Sequence, residues 1–255
     1  MLDDFTPILH ELPGRTIKVW AVADVHIGAR EADIDGFAAF LEKVQSDDDS
    51  YLVIVGDLLN NATRSSVSDV YQEAMPPHAQ VDMAAELLAP VADRILGCVG
   101  GNHERRSVKD VDLDPLYQVM CLLRKPEVYR AHMAFMRVSL RNIGASTHDQ
   151  YALMLVHGKT ENKKRQLARA VEGVDAIVSG HTHNGLVEKP ARIVFNSRNK
   201  VAVRPLVSLT ATSWLRYGGY ASAALLPPSA TSDPQCLVLE YAGTNKRRGE
   251  IRVAW

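Results

Sequence analysis

The chain has 255 residues, 46% of them hydrophobic, and its 29 Lys and Arg against 30 Asp and Glu leave a formal net charge of −1. That balance excludes a global basic field for nucleic acid or an anionic membrane, so any such affinity must be local. The length suits one large domain, residues 1–255, and three scattered cysteines (Cys98, Cys121, Cys236) exclude a disulfide framework and fit a reducing, cytoplasmic compartment. Met1 to Arg15, with Asp3, Asp4, Pro7 and Pro13, lacks a secretory leader pattern, and no stretch approaches a membrane span.

In chain order, the apolar run Ile17 to Ala23 ends in Asp24-Val25-His26. Such a run between turn residues predicts a strand buried on both faces, as in a parallel sheet covered by helices. A helix follows over about 33–45, with Asp33 as N-cap and Ile34, Phe37, Ala38, Leu41 and Val44 on one face. Asp47-Asp48-Asp49 reads as a solvated turn, because adjacent carboxylates without the spacing of a calcium loop do not converge. The run Tyr51 to Val55 ends in Gly56-Asp57; the polar segment Leu58 to Pro77 holds one short helix near Val67 to Met75, and a further helix spans about Val81 to Ala92. The run Arg94 to Val99 then leads into Gly100-Gly101-Asn102-His103-Glu104. Strand alternating with helix predicts right-handed crossovers and a mainly parallel sheet.

Beyond Glu104 the sequence predicts a charged loop (Arg105, Arg106, Lys109, Asp110, Asp112) and then a helix begun by Asp114-Pro115, with Leu116, Val119, Met120 and Leu123 inward. A second helix is expected from Pro126, an alternating strand over Met136 to Arg141 and a turn over Asn142 to Asp149. Tyr151 to Val156 runs into His157-Gly158, a basic helix (Lys163, Lys164, Arg165, with Leu167, Ala170 and Val171 inward) follows, and Val174 to Ser179 runs into Gly180-His181-Thr182-His183. Residues 186–255 show no helical period and predict strands at about 192–195, 206–209, 221–226, 236–241 and 251–254, with Lys246-Arg247-Arg248 as a charged turn.

Five apolar runs therefore end in polar groups, and ligands of open α/β sheets collect at the carboxyl ends of strands. Any one of these histidines alone is no more than a capped strand end. Together Asp24, Asp57, His26, His157, His181, His183 and the Asn102 carbonyl form a mixed oxygen and imidazole set that suits manganese, iron or zinc. The set has no thiolate, which argues against a structural zinc site. It is too large for one tetrahedral ion and matches two ions sharing a carboxylate.

Asp24-Val25-His26, Gly56-Asp57, Gly101-Asn102-His103-Glu104, His157-Gly158 and Gly180-His181-Thr182-His183 resemble, in order, the five motifs of the calcineurin-like metallophosphoesterase superfamily, over residues 17–185. The resemblance implies an α/β fold, a four-layer αββα sandwich of two mixed β-sheets with outer helices and a dinuclear site at the strand ends. It implies that Asp24, His26 and His183 bind one metal, that Asn102, His157 and His181 bind a second, and that Asp57 bridges them. His103 would be a proton donor or charge stabiliser rather than a ligand, and a metal-bridging hydroxide the nucleophile. Two divalent cations are implied, manganese first, with iron and zinc as alternatives.

The form Gly56-Asp57-Leu58 departs from the serine/threonine protein phosphatases and is more similar to the phosphodiesterase and DNA-repair nuclease branches. Asn60 stands where the phosphatases place an aspartate partner for the catalytic histidine. The stretch past the fifth motif is shorter than in the repair nucleases, which leads to the expectation of a stand-alone catalytic domain. The expected activity is hydrolysis of a phosphodiester by a nuclease or small phosphodiesterase, with nucleic acid among the candidate substrates and no membrane partner. A phosphomonoesterase is the alternative, and a non-catalytic interaction module the remote one, because such modules show eroded ligands. Arg105, Arg106, Lys109, Lys159, Lys163, Lys164 and Arg165 lie near the motifs and are either phosphate contacts or ordinary solvated surface. Trp214 to Tyr220 reads as an aromatic turn packed on the core rather than a base-stacking platform, and His10, His78, His132 and His148 receive no role.

Overall fold

The longest apolar runs become the central strands of two sheets. The computed structural model describes residues 3–64, 66, 70–141, 148–195, 199–218, 222, 233–243 and 249–255. The first half of the chain forms β1 (Ile8–Pro13), β2 (Thr16–Val22), α1 (Ile34–Gln45), β3 (Ser50–Val55), α2 (Pro77–Leu88), β4 (Ile95–Val99), α3 (Glu104–Val111), α4 (Pro115–Leu122) and β5 (Tyr129–Arg130). The second half forms β6 (Met133–Arg141), β7 (Asp149–Val156), α5 (Glu161–Ala170), β8 (Ala176–Ser179), β9 (Val187–Glu188), β10 (Ala191–Phe195), β11 (Val201–Pro205), β12 (Val207–Thr210), β13 (Cys236–Glu240) and β14 (Ile251–Ala254).

One sheet has the order β14-β13-β2-β3-β4-β5, parallel from β2 to β5 and antiparallel at β13 and β14. The other has the order β1-β6-β7-β8-β12-β9, with β7, β8 and β12 parallel, β1 parallel to β6, β6 antiparallel to β7 and β9 antiparallel to β12. The sheets pack face to face at Gly97 of β4, where an added Cβ would lie 2.6 Å from Leu155 Cδ1 of β7. There the absence of a side chain lets the layers close. Phe37, Phe40, Leu41 and Val44 of α1 bury against the outer face of the first sheet, where Phe40 meets Trp20 edge-on at 5.5 Å. Ala168 of α5 packs with Met154, Ile177 and Leu206 on the outer face of the second. The result is an α/β sandwich of two mixed sheets between helices. Each fully buried Leu, Ile or Val contributes about 1.5–3 kcal/mol.

Helix starts follow the capping chemistry. Asp33 accepts from Gly36 N at 3.2 Å, and Asp114 accepts from Leu116 N and Tyr117 N at 3.1 and 3.0 Å ahead of Pro115. The Asp47 to Asp49 turn is tied by Lys18 and Ser50 to Asp47 rather than gathered round a cation.

Several elements differ from expectation. The predicted charged loop after Glu104 is α3, whose high-propensity Arg105 and Lys109 face solvent, with Arg106 half-buried and Glu104 as its buried residue. No helix starts at Pro126: a single 3-10 turn, Pro126–Val128, feeds β5. The segment expected to hold a helix near residues 67–75 has a 3-10 turn at Val70–Gln72, and residues 67–69 lie outside the described ones. Helix α2 ends at Leu88 and continues as 3-10 to Arg94 because Pro90 removes a backbone donor. The unassigned amino-terminal segment supplies β1, paired in parallel with β6. Ala170 is exposed and Lys164 buried, the reverse of their expected placement on α5. Of the expected turn at Asn142 to Asp149, residues 142–147 lie outside the described ones and Asp149 already belongs to β7; most of the strand at 221–226 and the Lys246 to Arg248 turn also lie outside them. The hairpin β10–β11 stands apart from both sheets with Ile193, Phe195, Val201 and Val203 exposed. No helix among the described residues is long and apolar enough to cross a membrane.

Candidate metal centre

The carboxyl ends of β2, β3, β4, β7 and β8 converge, and their first polar residues meet. Asp24, His26 and His183 bring donor atoms within 4.8 Å of one another, as do Asp57, His157 and His181. Asp57 also forms such a group with His26 and His103, so its carboxylate stands between the two sets. His183 Nε2 lies 3.2 Å from Asp24 Oδ1, His157 Nε2 lies 3.1 Å from Asp57 Oδ2, and Asn102 Oδ1 is 3.1 Å from His157 Nε2. All seven residues nominated as metal ligands are therefore in one place, with His103 Nε2 at 3.8 Å from Asp57 Oδ2.

The backbone is bent to achieve this. Asp24, His26, Asp57, His181 and His183 all have left-handed φ, between 50° and 77°. That region is sparsely populated by residues other than glycine, and outliers of this kind cost about 1–3 kcal/mol each and cluster at functional sites. Gly56 permits a close approach: a Cβ there would sit 2.6 Å from Gly101 Cα and 2.7 Å from His157 Nδ1.

Burial and mutual charge set the protonation states. Burial opposes ionisation of Asp57, but His157, His103 and His26 around it hold its carboxyl far below the usual carboxylate range. Burial likewise opposes ionisation of Asp24, and the His183 contact outweighs it. Burial pulls His157 down, yet Asp57 overrides it and lifts the imidazole to about 9. Burial, reinforced by His103, pushes His26 down to about 3. His157 Nδ1 donates to Val55 O at 2.7 Å, which leaves Nε2 facing the centre.

The donors fit divalent cations on an independent observation. Asp24 Oδ1 and both ring nitrogens of His26 are buried without a hydrogen-bond partner among the described residues. Buried polar atoms are otherwise almost always satisfied, and a cation within reach of Asp24, His26 and His183 would satisfy Asp24 Oδ1 and one of the two His26 nitrogens.

Three residues support the centre in roles that were not expected of them: Glu104 had none, and Arg106 and Lys164 were expected as phosphate contacts or solvated surface. The buried Glu104 carboxylate accepts from Asp57 N at 3.0 Å, Leu59 N at 3.0 Å and Gly101 N at 2.9 Å, so it laces the β3 and β4 loops together. Burial and then Asp57 raise its carboxyl to about 7. Arg106 donates to His103 Nε2 at 2.9 Å and to Asn60 O at 3.0 Å. Lys164 is only 6% exposed and donates to Glu161 Oε1 at 2.9 Å, Thr182 Oγ1 at 2.7 Å and Thr210 Oγ1 at 3.3 Å. It is thus bound to the middle residue of the His181-Thr182-His183 loop. The only sequence signal for Glu104 was its place beside His103; for Lys164, lodged among other basic residues, there was none.

Asn60 corrects an expectation. Its backbone oxygen, not its side chain, receives His103 Nδ1 at 2.8 Å, while its amide donates to Glu73 at 2.5 Å. A carbonyl orients the ring in any residue, so the change from aspartate to asparagine removes nothing from that contact. Burial and Arg106 lower His103, with Asp57 working against them. Among the other nominated cations, Arg165 pairs with Glu188 at 2.8 Å, and Trp214 is buried edge-on against Phe37 at 5.1 Å. Gly219 and Tyr220 lie outside the described residues.

The sequence profile of the calcineurin-like phosphoesterases matches residues 17–185, the span that contains every converging motif. The chain belongs to the calcineurin-like phosphoesterase family. It is accordingly a metal-dependent phosphoric ester hydrolase. Solved structures similar to this phosphoesterase include the calcineurin-like phosphoesterase YfkN from Bacillus subtilis, 13% identical, covering 94% of this chain and 91% of that one with a TM-score of 0.44. Nuclease MPE from Pseudomonas putida is 17% identical, covering 90% and 85% with a TM-score of 0.34, and Vps29 from Chaetomium thermophilum is 12% identical, covering 93% and 96% with a TM-score of 0.40. No curated protein matches the chain in sequence at a significant level.

Proposed function

We propose that this phosphoesterase hydrolyses a phosphodiester, with Asp24, His26 and His183 holding one divalent cation, Asn102, His157 and His181 the other, and Asp57 shared between them. The observation that carries the diester reading is a cleft of about 520 Å³ that continues outward from Asn102, His157 and His181. A diester carries a substituent on each side of phosphorus, and this cleft gives the second one a place. Oxygen and imidazole donors without thiolate suit manganese, iron or zinc, and manganese is the first of these to test. When bound, the cations would supply Lewis acidity and activate water for in-line attack. His157 is held in the tautomer that offers Nε2 by its bond to Val55 O. His103, fixed through Nδ1 to Asn60 O, directs Nε2 at the site; that nitrogen accepts from Arg106 at rest and delivers a proton to the leaving oxygen only once it is protonated and the Arg106 bond is given up. The Asp57 carboxylate 3.8 Å away favours the proton on that nitrogen, and Arg106 opposes it. The three free thiols, one of them on exposed Cys121, support a reducing, cytoplasmic compartment.

A second reading has one observation in its favour. Arg106 beside His103 offers a guanidinium to the extra charge of a monoester dianion. Manganese-dependent hydrolysis of bis(p-nitrophenyl) phosphate against p-nitrophenyl phosphate, with Asp57→Asn as blank, separates the two. Diester preference is expected, and monoester preference refutes the first reading.

A further inference from the structure

Hydrolysis of a diester by itself does not require what lines the outer cleft. Its walls bring Arg105 from the first turn of α3, His132 from between β5 and β6, Lys159 from the loop after β7 and Lys163 from α5, with Met133 and Leu167 as apolar surface. Among the described residues no carboxylate lines it. In a chain with as many Asp and Glu as Lys and Arg, 30 against 29, a cleft of one sign is not the default outcome of composition.

Pairing sharpens the contrast. Arg105, Lys159 and Lys163 are exposed, and none has an ion pair among the described residues. On the same segment Lys164 is neutralised by Glu161 at 2.9 Å and Arg165 by Glu188 at 2.8 Å. Other cations, Arg169 of α5 among them, also lack an ion pair among the described residues; Arg105, Lys159 and Lys163 are the unpaired ones that share the cleft wall. Three chain segments deliver them to one side of the donor cluster formed by Asn102, His157 and His181.

We propose that this cleft binds a single-stranded polynucleotide on one side of the scissile phosphodiester, with Arg105, Lys159 and Lys163 on its flanking phosphates and a base against Met133 and Leu167. The proposal rests on the phosphodiester reading above. Repeated phosphates, one per nucleotide, are the chemistry that uses several separated cations, since phosphate contacts set position and register along a strand. A cleft of about 520 Å³ takes one or two unpaired nucleotides. A base lying against Met133 and Leu167 has left its stack, which a duplex does not allow without unpairing.

The test is fluorescence anisotropy of manganese-supplied protein with fluorescein-labelled, phosphorothioate-linked (dT)12 and (rU)12, across a salt series. The triple variant Arg105→Gln, Lys159→Gln, Lys163→Gln is expected to weaken binding at least tenfold. It is also expected to flatten the slope of log affinity against log salt by about 2, at about 0.7 per single-strand phosphate contact. Arg169→Gln, on the exposed face of α5 away from the cleft, is expected to change neither. In parallel, kcat/KM for an unmodified oligonucleotide should fall at least tenfold relative to that for bis(p-nitrophenyl) phosphate on the same triple variant. Equal affinity and slope in the triple variant, binding of (dT)12 no tighter than of thymidine monophosphate, or tighter binding of duplex would each overturn the proposal. Loss of bis(p-nitrophenyl) phosphate turnover in the wild type, with oligonucleotide binding still governed by the cleft cations, would remove the diester reading and leave the cleft assignment standing.

Discussion

Lys164→Met separates positioning from stability at the metal centre. The ammonium makes three hydrogen bonds, to Glu161, Thr182 and Thr210, while burial pulls it below its ordinary range. Desolvation and bonding therefore nearly cancel, and methionine refills the volume of the stem. Glu161 keeps the Thr182 hydroxyl as a donor and a side chain 25% exposed, so it is not stranded as a fully buried charge would be. Full stranding costs about 3–5 kcal/mol, and partial exposure brings the expected loss to about 1–2 kcal/mol. For a chain of this size that is a fall of about 2–8 °C in Tm. The effect on the centre is larger in proportion. Without Lys164 the Thr182 hydroxyl keeps Glu161 but loses one of its anchors, and His181 and His183 on either side lose support for a backbone held in a left-handed conformation. Outer contacts of this type cost about 10–100-fold in metal affinity or activity. Manganese titration by calorimetry, with urea unfolding of the metal-free protein, reads both quantities. A variant that loses more than 3 kcal/mol yet binds manganese as the wild type does would refute the reasoning and make Lys164 a structural residue only.

His103→Ala is expected to retain manganese stoichiometry and to slow turnover of a diester by about 10²–10⁴; loss of metal would instead make His103 a ligand. Saturating manganese should stabilise the protein against heat by about 2.7 kcal/mol at a hundredfold excess over Kd. Calorimetric scans with and without EDTA check this, and an unchanged Tm would contradict satisfaction of the orphaned Asp24 and His26 atoms by a cation. Asp47, bonded to Lys18 at 2.7 Å and to Ser50, is held down to about 2. A depressed carboxyl contributes stability above its unfolded value of about 3.9, and that contribution is lost as pH falls through the folded value. Because Lys18 and Asp47 are 43% and 31% exposed, Asp47→Asn should cost at most about 1 kcal/mol at pH 7. Urea melts of variant and wild type should converge between pH 4 and 2; a gap that widens on acidification would disprove the linkage.

Residues that act through local chemistry were legible in the sequence. Each donor follows directly on an apolar β-branched run, so periodicity placed it at a strand's end, and five such ends in one α/β chain put Asp24, Asp57, Asn102, His157 and His181 on a common edge. The caps at Asp33 and Asp114 were readable for the same reason, since they satisfy backbone donors two or three residues away. What could not be read depends on partners distant in sequence. Glu104 matters because Asp57 and Leu59 lie above it, 47 and 45 residues earlier in the chain. Lys164 is indistinguishable from Lys163 until the fold buries one against Thr182 and Thr210 and leaves the other on an open wall. The charged run after Glu104 looked like a loop because its polar face is nearly all of it, and its single buried residue showed no period. The sequence by itself determined which groups carry the chemistry and on which edge they stand, because strand periodicity and strand ends are local properties. Only the tertiary structure decided which cations are neutralised, which carboxylate laces the loops and which way the cleft opens, because each depends on what the folded chain brings within a few ångströms.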